Sequence, residues 1–323
     1  METARVSGDM GYRQSEQLAF AAVAERFRAF EGAFDVVLKN PHVLAQEAQG
    51  LLAWGQWAVS GKLIVEVSPL LTEALSHSDL GDMVLSDVFD LKAPACFYVH
   101  FGKSCGIRFE EDTVAMEGAY VYAHPESLRV VLCGRLPDGT PVLDTWRERY
   151  DLRVPSTLYG LPADEAIDKA LALDLADLKS VAEKTGNALF LEKLAQRQQC
   201  NHPAWGKALR LVLNLMAWKK AYPSDSEERW PDEAPTSLVS QASQPSRKQQ
   251  DRARSKLWSI GWLPVTRLGI GFSRRFEETF NGSHASPVRH WRNGHWRNQA
   301  HGPSFSLRKL IWIWPTLVGR VEG

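Results

Sequence analysis

The sequence has few cysteines and no long apolar run. Its four Cys include no C-x-x-C pair, and the chain shows no secretory leader, so we expect no disulfide framework. The longest apolar stretch, residues 310–318, is interrupted by Pro315 and is well short of the ~18 residues that a membrane-spanning helix needs. These absences predict a protein of the reducing cytoplasm that has no membrane partner.

The net charge of zero hides an uneven distribution along the chain. Residues 247–320 contain fourteen Lys and Arg but only three acidic residues, a net charge of +11 with His neutral. Residues 1–246 contain 24 basic and 34 acidic residues, a net charge of −10. This division predicts either mutual neutralisation of the two parts or a polyanion site in the C-terminal quarter.

The periodicity of apolar residues predicts an α+β fold, with a helix-rich body, a small antiparallel sheet and a basic Trp/Arg-rich α+β C-terminal region. Helices are expected at residues 15–39, 69–77, 163–184 and 205–222, and strands at 96–101, 118–122 and 128–133. Residues 128–147 are expected to form a hairpin around the turn sequence LPDGTP.

Composition predicts three segments along the 323 residues. Residues 1–221 form the acidic α+β body, and residues 251–323 form the basic C-terminal α+β region. Between them, residues 222–250 contain four Pro, many Ser and little apolar periodicity. This composition predicts a linker or a mobile loop at residues 222–250.

The stretch HWRNGHWRN at residues 290–298 repeats His-Trp-Arg-Asn around Gly294. Asn-Gly favours a two-residue type I′ turn, so the repeat predicts a hairpin with Asn293 and Gly294 at its tip. The run LRKLIWIW at 307–314 predicts a third strand, which ends at Pro315.

Aromatic rings beside guanidinium groups suit single-stranded nucleic acid, because bases stack on the rings while Arg binds phosphate. Near Gly269-x-Gly271, backbone N–H groups and neighbouring Arg side chains suit a phosphate or carboxylate, although no dinucleotide fingerprint or other cofactor motif is present. The candidate RNA- or anion-binding residues are Arg267, Arg274, Arg275, Arg292, Trp296, Arg297, Arg308 and Lys309. The alternative is a Trp-rich core, with the Arg side chains paired to carboxylates of the body.

The histidines of this stretch are candidates for acid–base catalysis. One His acting as base and one as acid can cleave RNA without a metal, which makes His290 and His295 the catalytic candidates. No H-E-x-x-H motif occurs and no carboxylate lies between Glu278 and Glu322, so we expect no metal site. A purely structural role for these histidines is the default expectation.

Five sequence blocks, in this order, resemble a type V-A anti-CRISPR family encoded by phages and plasmids. They are CFYVHF at 96–101, TRLG at 266–269 with RRF at 274–276, VRH at 288–290 with GHW at 294–296, RKLIWIWP at 308–315, and VGRV at 318–321. The resemblance runs over most of the chain and is sharpest in its C-terminal quarter.

This resemblance implies a regulator of the bacterial host cytoplasm that lowers the amount of a CRISPR nuclease. In such a mechanism the protein recognises the nascent N-terminal polypeptide of the nuclease, with the ribosome and the mRNA as further partners, and the translated message is lost. An extended peptide added to the sheet would contact Phe97, Val99 and Phe101. A metal-independent endoribonuclease and a non-catalytic RNA-binding module are the alternatives, and whether the protein is an enzyme stays open.

Overall fold

The computed structural model describes residues 56–57, 60, 62–88, 95–109, 113–139, 141–142, 151–186, 188–274 and 290–318. The predicted helix at 15–39 and the end of the predicted hairpin beyond residue 142 lie outside these residues. Within them, helices and strands are mixed along the chain, which confirms the α+β class.

The described strands are, in chain order, β1 (Leu63–Val67), β2 (Ser78–Asp79), β3 (Ala95–His100), β4 (Arg108–Phe109), β5 (Val114–His124), β6 (Ser127–Arg135), β7 (Pro141–Val142), β8 (Asp151–Pro155), β9 (Ser226–Arg229), β10 (Val265–Leu268), β11 (His290–Arg292), β12 (Gly294–His301), β13 (Leu307–Ile313) and β14 (Thr316–Val318). The helices are α1 (Pro69–Ser76), α2 (Leu85–Val88), α3 (Ala163–Thr185), α4 (Ala188–Ala221), α5 (Thr236–Ala242) and α6 (Arg247–Ser259). A further helix begins at residue 270 and is described to residue 274.

A mixed sheet of nine strands forms the centre of the described fold. Its order is β7-β6-β5-β3-β1-β10-β9, while β8 also pairs with β6 and β4 with β5. Strand β1 is parallel to β3 and β10, and the remaining pairs are antiparallel. The predicted small antiparallel sheet is therefore one part of a larger sheet, whose other strands come from segments far apart in sequence.

The core lies between the sheet and the helices. Alternate residues of adjacent strands, such as Val65, Val99 and Ala119, are fully buried and stand opposite one another in the ladder. They belong to the same apolar cluster as Leu209 and Val212 of α4. The amphipathic pattern that predicts a helix at 205–222 thus marks the buried half of a longer helix.

Residues 222–250 differ from the predicted linker or mobile loop, because they contain β9, α5 and the start of α6. The two helices pack on a small core of their own, formed by Trp230, Ala234, Ala242, Ala253 and Leu257. Few apolar residues suffice here because the helices are short, so the segment gives little periodicity. The central sheet takes strands from all three predicted segments.

Two smaller sheets hold the C-terminal residues. Strand β12 lies between β13, antiparallel to it, and β2, parallel to it, while β11 pairs with β14. Strand β2 follows α1 directly, so the C-terminal strands join the body near the end of that helix. In the described part of the chain, no helix is both long and apolar enough to cross a lipid bilayer.

Candidate functional site

The second His-Trp-Arg-Asn copy lies in the hairpin formed by β12 and β13. In its antiparallel ladder Trp296 stands opposite Trp312, and His301 stands opposite Leu307 at the far end. Both Trp side chains are buried, with exposed fractions of 1% and 3%. The predicted strand at 307–314 is confirmed and ends before Pro315.

Both indole N–H groups of this hairpin have buried acceptors in the body. Trp296 Nε1 donates to Asn214 Oδ1 at 2.7 Å, and Trp312 Nε1 donates to Ser78 Oγ at 3.1 Å. Asn214, which is completely buried in α4, donates in turn to the carbonyl oxygens of Leu75 and Ser78. Because buried N–H groups without acceptors are costly, this network fixes the position of the hairpin.

An aromatic cluster supports the same junction. The rings of Trp218 and Trp312 meet edge to face with centroids 5.0 Å apart, and Phe272 lies 5.6 Å from Trp312 and 4.9 Å from Trp314. Trp296 and Trp312 therefore belong to a Trp-rich core, which was the alternative to stacking on bases. Burial leaves no ring face of Trp296 for a base, which corrects the predicted RNA contact at that residue.

The predicted hairpin between the two copies of the repeat does not form. Strand β11 pairs with β14, whereas β12 pairs with β13 and β2. Asn293 and Gly294 lack the positive φ angles that a type I′ turn requires. A Cβ atom at Gly294 would come within 2.6 Å of Pro315 Cδ, so this glycine serves close packing at a corner between two sheets.

The candidate cations occupy different environments. Arg297, Arg308 and Lys309 are exposed on the β12–β13 hairpin. Arg267 on β10 instead forms an ion pair with Glu66 on the neighbouring strand β1, with Nε 2.8 Å from Oε2. Within the described chain, three of the candidate cations therefore share the β12–β13 hairpin, whereas the other described candidates lie on separate elements.

The glycine turn predicted to hold an anion already has a protein acceptor. The backbone N–H of Gly271 donates to Asp225 Oδ1 at 2.8 Å, so a carboxylate occupies this start of the helix at 270–274. Arg274 is exposed on the same helix. Arg275 lies outside the described residues, and for Arg292 only the backbone position in β11 is described.

The two candidate catalytic histidines lie on different sheets, His290 in β11 and His295 in β12. His295 is exposed, and the side chain of His290 lies outside the description. Among the described residues, no group of three or more His, Cys, Asp or Glu side chains is placed to hold a metal ion. RNA cleavage by these histidines stays a prediction.

The predicted peptide contacts Phe97, Val99 and Phe101 are buried, with exposed fractions of 4%, 0% and 1%. Strand β3 pairs with β1 along one edge and β5 along the other. A peptide cannot add to a strand whose two edges are both occupied, and these side chains face the core. This corrects the expectation of strand addition at β3.

The opposite face of the same strands is aromatic and polar. Tyr98 stands opposite Tyr120 with ring centroids 5.0 Å apart, and both rings are half-buried. Tyr98 also stacks on His100, and Tyr120 meets Trp57 edge to face. We call Trp57, Tyr98, His100 and Tyr120 the tyrosine face.

Partial burial raises the pKa of both tyrosine hydroxyls well above the ordinary value. It also raises the pKa of the Cys96 thiol to about 12. These groups stay protonated at neutral pH. The tyrosine face therefore offers hydrogen bonds and ring surface, and the neighbouring Cys96 supplies no thiolate nucleophile.

Sequence reasoning missed two residues that the structure makes prominent. Asn214 is the only amide in the apolar run LRLVLNLMAW, and a lone polar residue in a buried helix face is the signal that it has a structural partner. Phe305 is 72% exposed at the turn between β12 and β13, and its sequence context gave no such signal.

The comparisons with known proteins give one family. A family model described as the anti-CRISPR type V subtype A2 family, AcrVA2-like, matches residues 65–320. Among solved structures, a crystal structure of AcrVA2 matches with a TM-score of 0.43 and 14% sequence identity, over 94% of this chain and 86% of that chain. No curated protein gives a significant match. The family match extends from β1 past β14, and the chain therefore belongs to the anti-CRISPR type V subtype A2 family.

Proposed function

We propose that this anti-CRISPR protein lowers the amount of a type V-A CRISPR nuclease by recognising its nascent N-terminal peptide and promoting loss of its mRNA. Such a mechanism needs one surface for a peptide and another for the message or the ribosome. The observation that supports it best is the β12–β13 hairpin, where three exposed cations lie in a sequence without carboxylates between Glu278 and Glu322.

The tyrosine face is our candidate for the peptide surface. Tyr side chains combine a large ring with a hydroxyl group and have few rotatable bonds, so they bind peptides with little loss of entropy. Tyr98 and Tyr120 are half-buried rather than buried, unlike the residues that the sequence suggests for this role. In this arrangement side chains of the sheet face, rather than a free strand edge, contact the peptide.

The hairpin is our candidate for the RNA surface. Its exposed cations suit phosphate groups, and three cations on the hairpin outnumber the one carboxylate, Asp79 of β2, that the strand pairing places beside it, opposite His295. Residues 1–246 carry a net charge of −10 and residues 247–320 a net charge of +11, so the attraction for RNA is concentrated in the C-terminal quarter. This charge distribution would orient the hairpin toward the message.

A reporter that begins with the first codons of the nuclease tests this mechanism. Message abundance is measured with and without the protein for the original codons, for synonymous codons, and for a compensated frameshift that changes the peptide while nearly preserving the RNA. We expect loss with the original and synonymous codons and no loss with the frameshift. Loss that follows the RNA sequence, or no loss at all, would overturn the proposal.

A further inference from the structure

The β12–β13 hairpin extends beyond the part that packs on the body. The ladder continues from the buried pair Trp296 and Trp312 to His301 and Leu307. Past the buried pair, exposed side chains occur on both faces of the two strands. We call residues 297–311 the hairpin arm; its exposed members include Arg297, Asn298, His301, Phe305, Leu307, Arg308 and Lys309.

The tip of the arm holds an aromatic ring out in solvent. Phe305 is 72% exposed and Leu307 is 52% exposed. Ser304 and Phe305 have φ angles of 51° and 55°, a left-handed conformation that is unusual for a bulky side chain. Strained backbone of this kind concentrates at functional sites, and no packing inside the described chain accounts for a solvent-exposed Phe here.

One face of the arm carries two cations and a histidine. Arg297 stands opposite Ile311 and Lys309 opposite Gln299, which makes the two cations diagonal neighbours on the same face. His301 lies on this face near the tip, opposite Leu307. No acidic residue occurs between positions 279 and 321; the strand pairing places one carboxylate beside this face, that of Asp79 opposite His295 at the end of β12 away from the tip.

We infer that the hairpin arm binds single-stranded RNA, with Phe305 stacking on an unpaired base while Arg297 and Lys309 contact phosphates. A base can stack on a protruding ring only if it is free to leave its neighbours in the strand. Bases are free in this way in single strands and not in duplexes. The polar groups on both faces do not suit insertion into a lipid bilayer, which needs an apolar face. The inference deepens the proposed function and rests on it only for identifying the RNA as the message.

The test is binding of the purified full-length protein to a fluorescent single-stranded RNA of about 12 nucleotides and to a duplex of the same length, followed by anisotropy. The single strand should bind more tightly. Phe305→Ala should weaken binding roughly tenfold, since one stacked base contributes about 1–3 kcal/mol, whereas Phe305→Trp should stay within about twofold. Thermal unfolding of each variant shows whether the fold is intact.

The matched charge control compares two double variants that each remove one Arg and one Lys. Arg297→Gln with Lys309→Gln should weaken binding and lower the slope of log K against log salt by about 1.4, because each phosphate contact contributes about 0.7 on a single strand. Arg252→Gln with Lys256→Gln, on exposed positions of α6, should change both much less.

Equal effects of the two double variants, an unaffected Phe305→Ala protein, or equal affinity for duplex RNA would overturn the inference. So would binding to anionic lipid vesicles without binding to RNA. No nuclease peptide is present in this measurement, so a failed reporter experiment would contradict the proposed function without changing this result.

Discussion

The indole N–H of Trp296 donates to the side-chain oxygen of Asn214 at 2.7 Å, across 82 residues of sequence. Both residues are buried, with exposed fractions of 1% and 0%. The bond joins the C-terminal hairpin to helix α4 of the body, and Asn214 continues the connection to the carbonyl oxygens of Leu75 and Ser78. The position of the hairpin arm thus depends on a completely buried amide of α4.

We expect Asn214→Leu to lower the free energy of unfolding by about 2–4 kcal/mol. Leucine has a similar volume, but the substitution removes the acceptor of the buried Trp296 N–H and the side-chain donor to the carbonyl oxygens of Leu75 and Ser78. Urea unfolding followed by tryptophan fluorescence measures the change.

A double-mutant cycle with Trp296→Phe controls for lost packing. Trp296→Phe removes the indole N–H that donates to Asn214. In this background Asn214→Leu no longer leaves that N–H without an acceptor, so it should cost less than in the wild-type protein. We expect the two substitutions to be coupled by at least about 1 kcal/mol. Strict additivity would mean that the Trp296–Asn214 bond contributes nothing to stability.

Gly294→Ala should destabilise the protein by about 1–3 kcal/mol, because the new Cβ atom would lie 2.6 Å from Pro315 Cδ and 2.8 Å from the carbonyl oxygen of Ile313. Gly160→Ala is the matched control, since a Cβ atom there meets nothing within 4 Å. Thermal unfolding compares the two variants. Equal melting temperatures would show that the strands around Gly294 can move apart to accommodate the Cβ atom without loss of stability.

Arg267→Gln should change RNA affinity by less than about twofold, in contrast to Arg297→Gln. The guanidinium of Arg267 is paired with Glu66 at 2.8 Å, whereas Arg297 is exposed on the hairpin arm. Because the Arg267–Glu66 pair is itself partly exposed, its loss should lower stability by less than about 1 kcal/mol. RNA anisotropy and urea unfolding measure both effects, and a larger loss of affinity for Arg267→Gln would place the RNA on the β10 side of the sheet.

Burial of the Cys96 thiol predicts a loss of stability at high pH. Its pKa is raised from 9.0 to about 12 in the folded protein, so between these values the unfolded chain releases the proton while the folded chain keeps it. The stabilising contribution is complete below pH 9 and declines as pH rises toward 12, by at most about 1.4 kcal/mol per pH unit.

Urea unfolding at pH 8 and pH 10 measures this decline. Cys96→Ala should reduce the difference between the two pH values, while Cys200→Ala, at an exposed thiol, should leave it unchanged. Identical pH dependence in the wild type and the Cys96→Ala variant would contradict the assignment.

Local patterns were sufficient to predict several elements of the fold. Pro69 at the first turn of α1 and the alternation along 307–314 each determine structure within a few residues. The parallel pairing of β1 with β3 and β10 was not predictable, because it joins short strands that no turn connects. Residues 222–250 were misjudged because their helices bury a small core with few apolar residues.

The candidate site was predictable only in part. The cations of 297–309 were identified from charge and aromatic content, and the structure places Arg297, Arg308 and Lys309 on one exposed hairpin. The turn at Asn293 and Gly294 was wrong because close packing on Pro315 also selects glycine, and sequence alone does not separate the two reasons. The sequence of β3 also does not reveal which of its two faces points outward, because this depends on which face the helices cover. The peptide contacts were therefore assigned to the buried face.

Purification of the tagged protein from cells that are translating the nuclease tests the central claim most directly. The amount of nuclease mRNA that copurifies is measured with and without puromycin, which releases nascent chains from ribosomes. Recognition of the nascent peptide predicts enrichment of this message, lost after puromycin and lost when a compensated frameshift alters the encoded N-terminus. Enrichment that persists after puromycin, or no enrichment before it, would contradict the account.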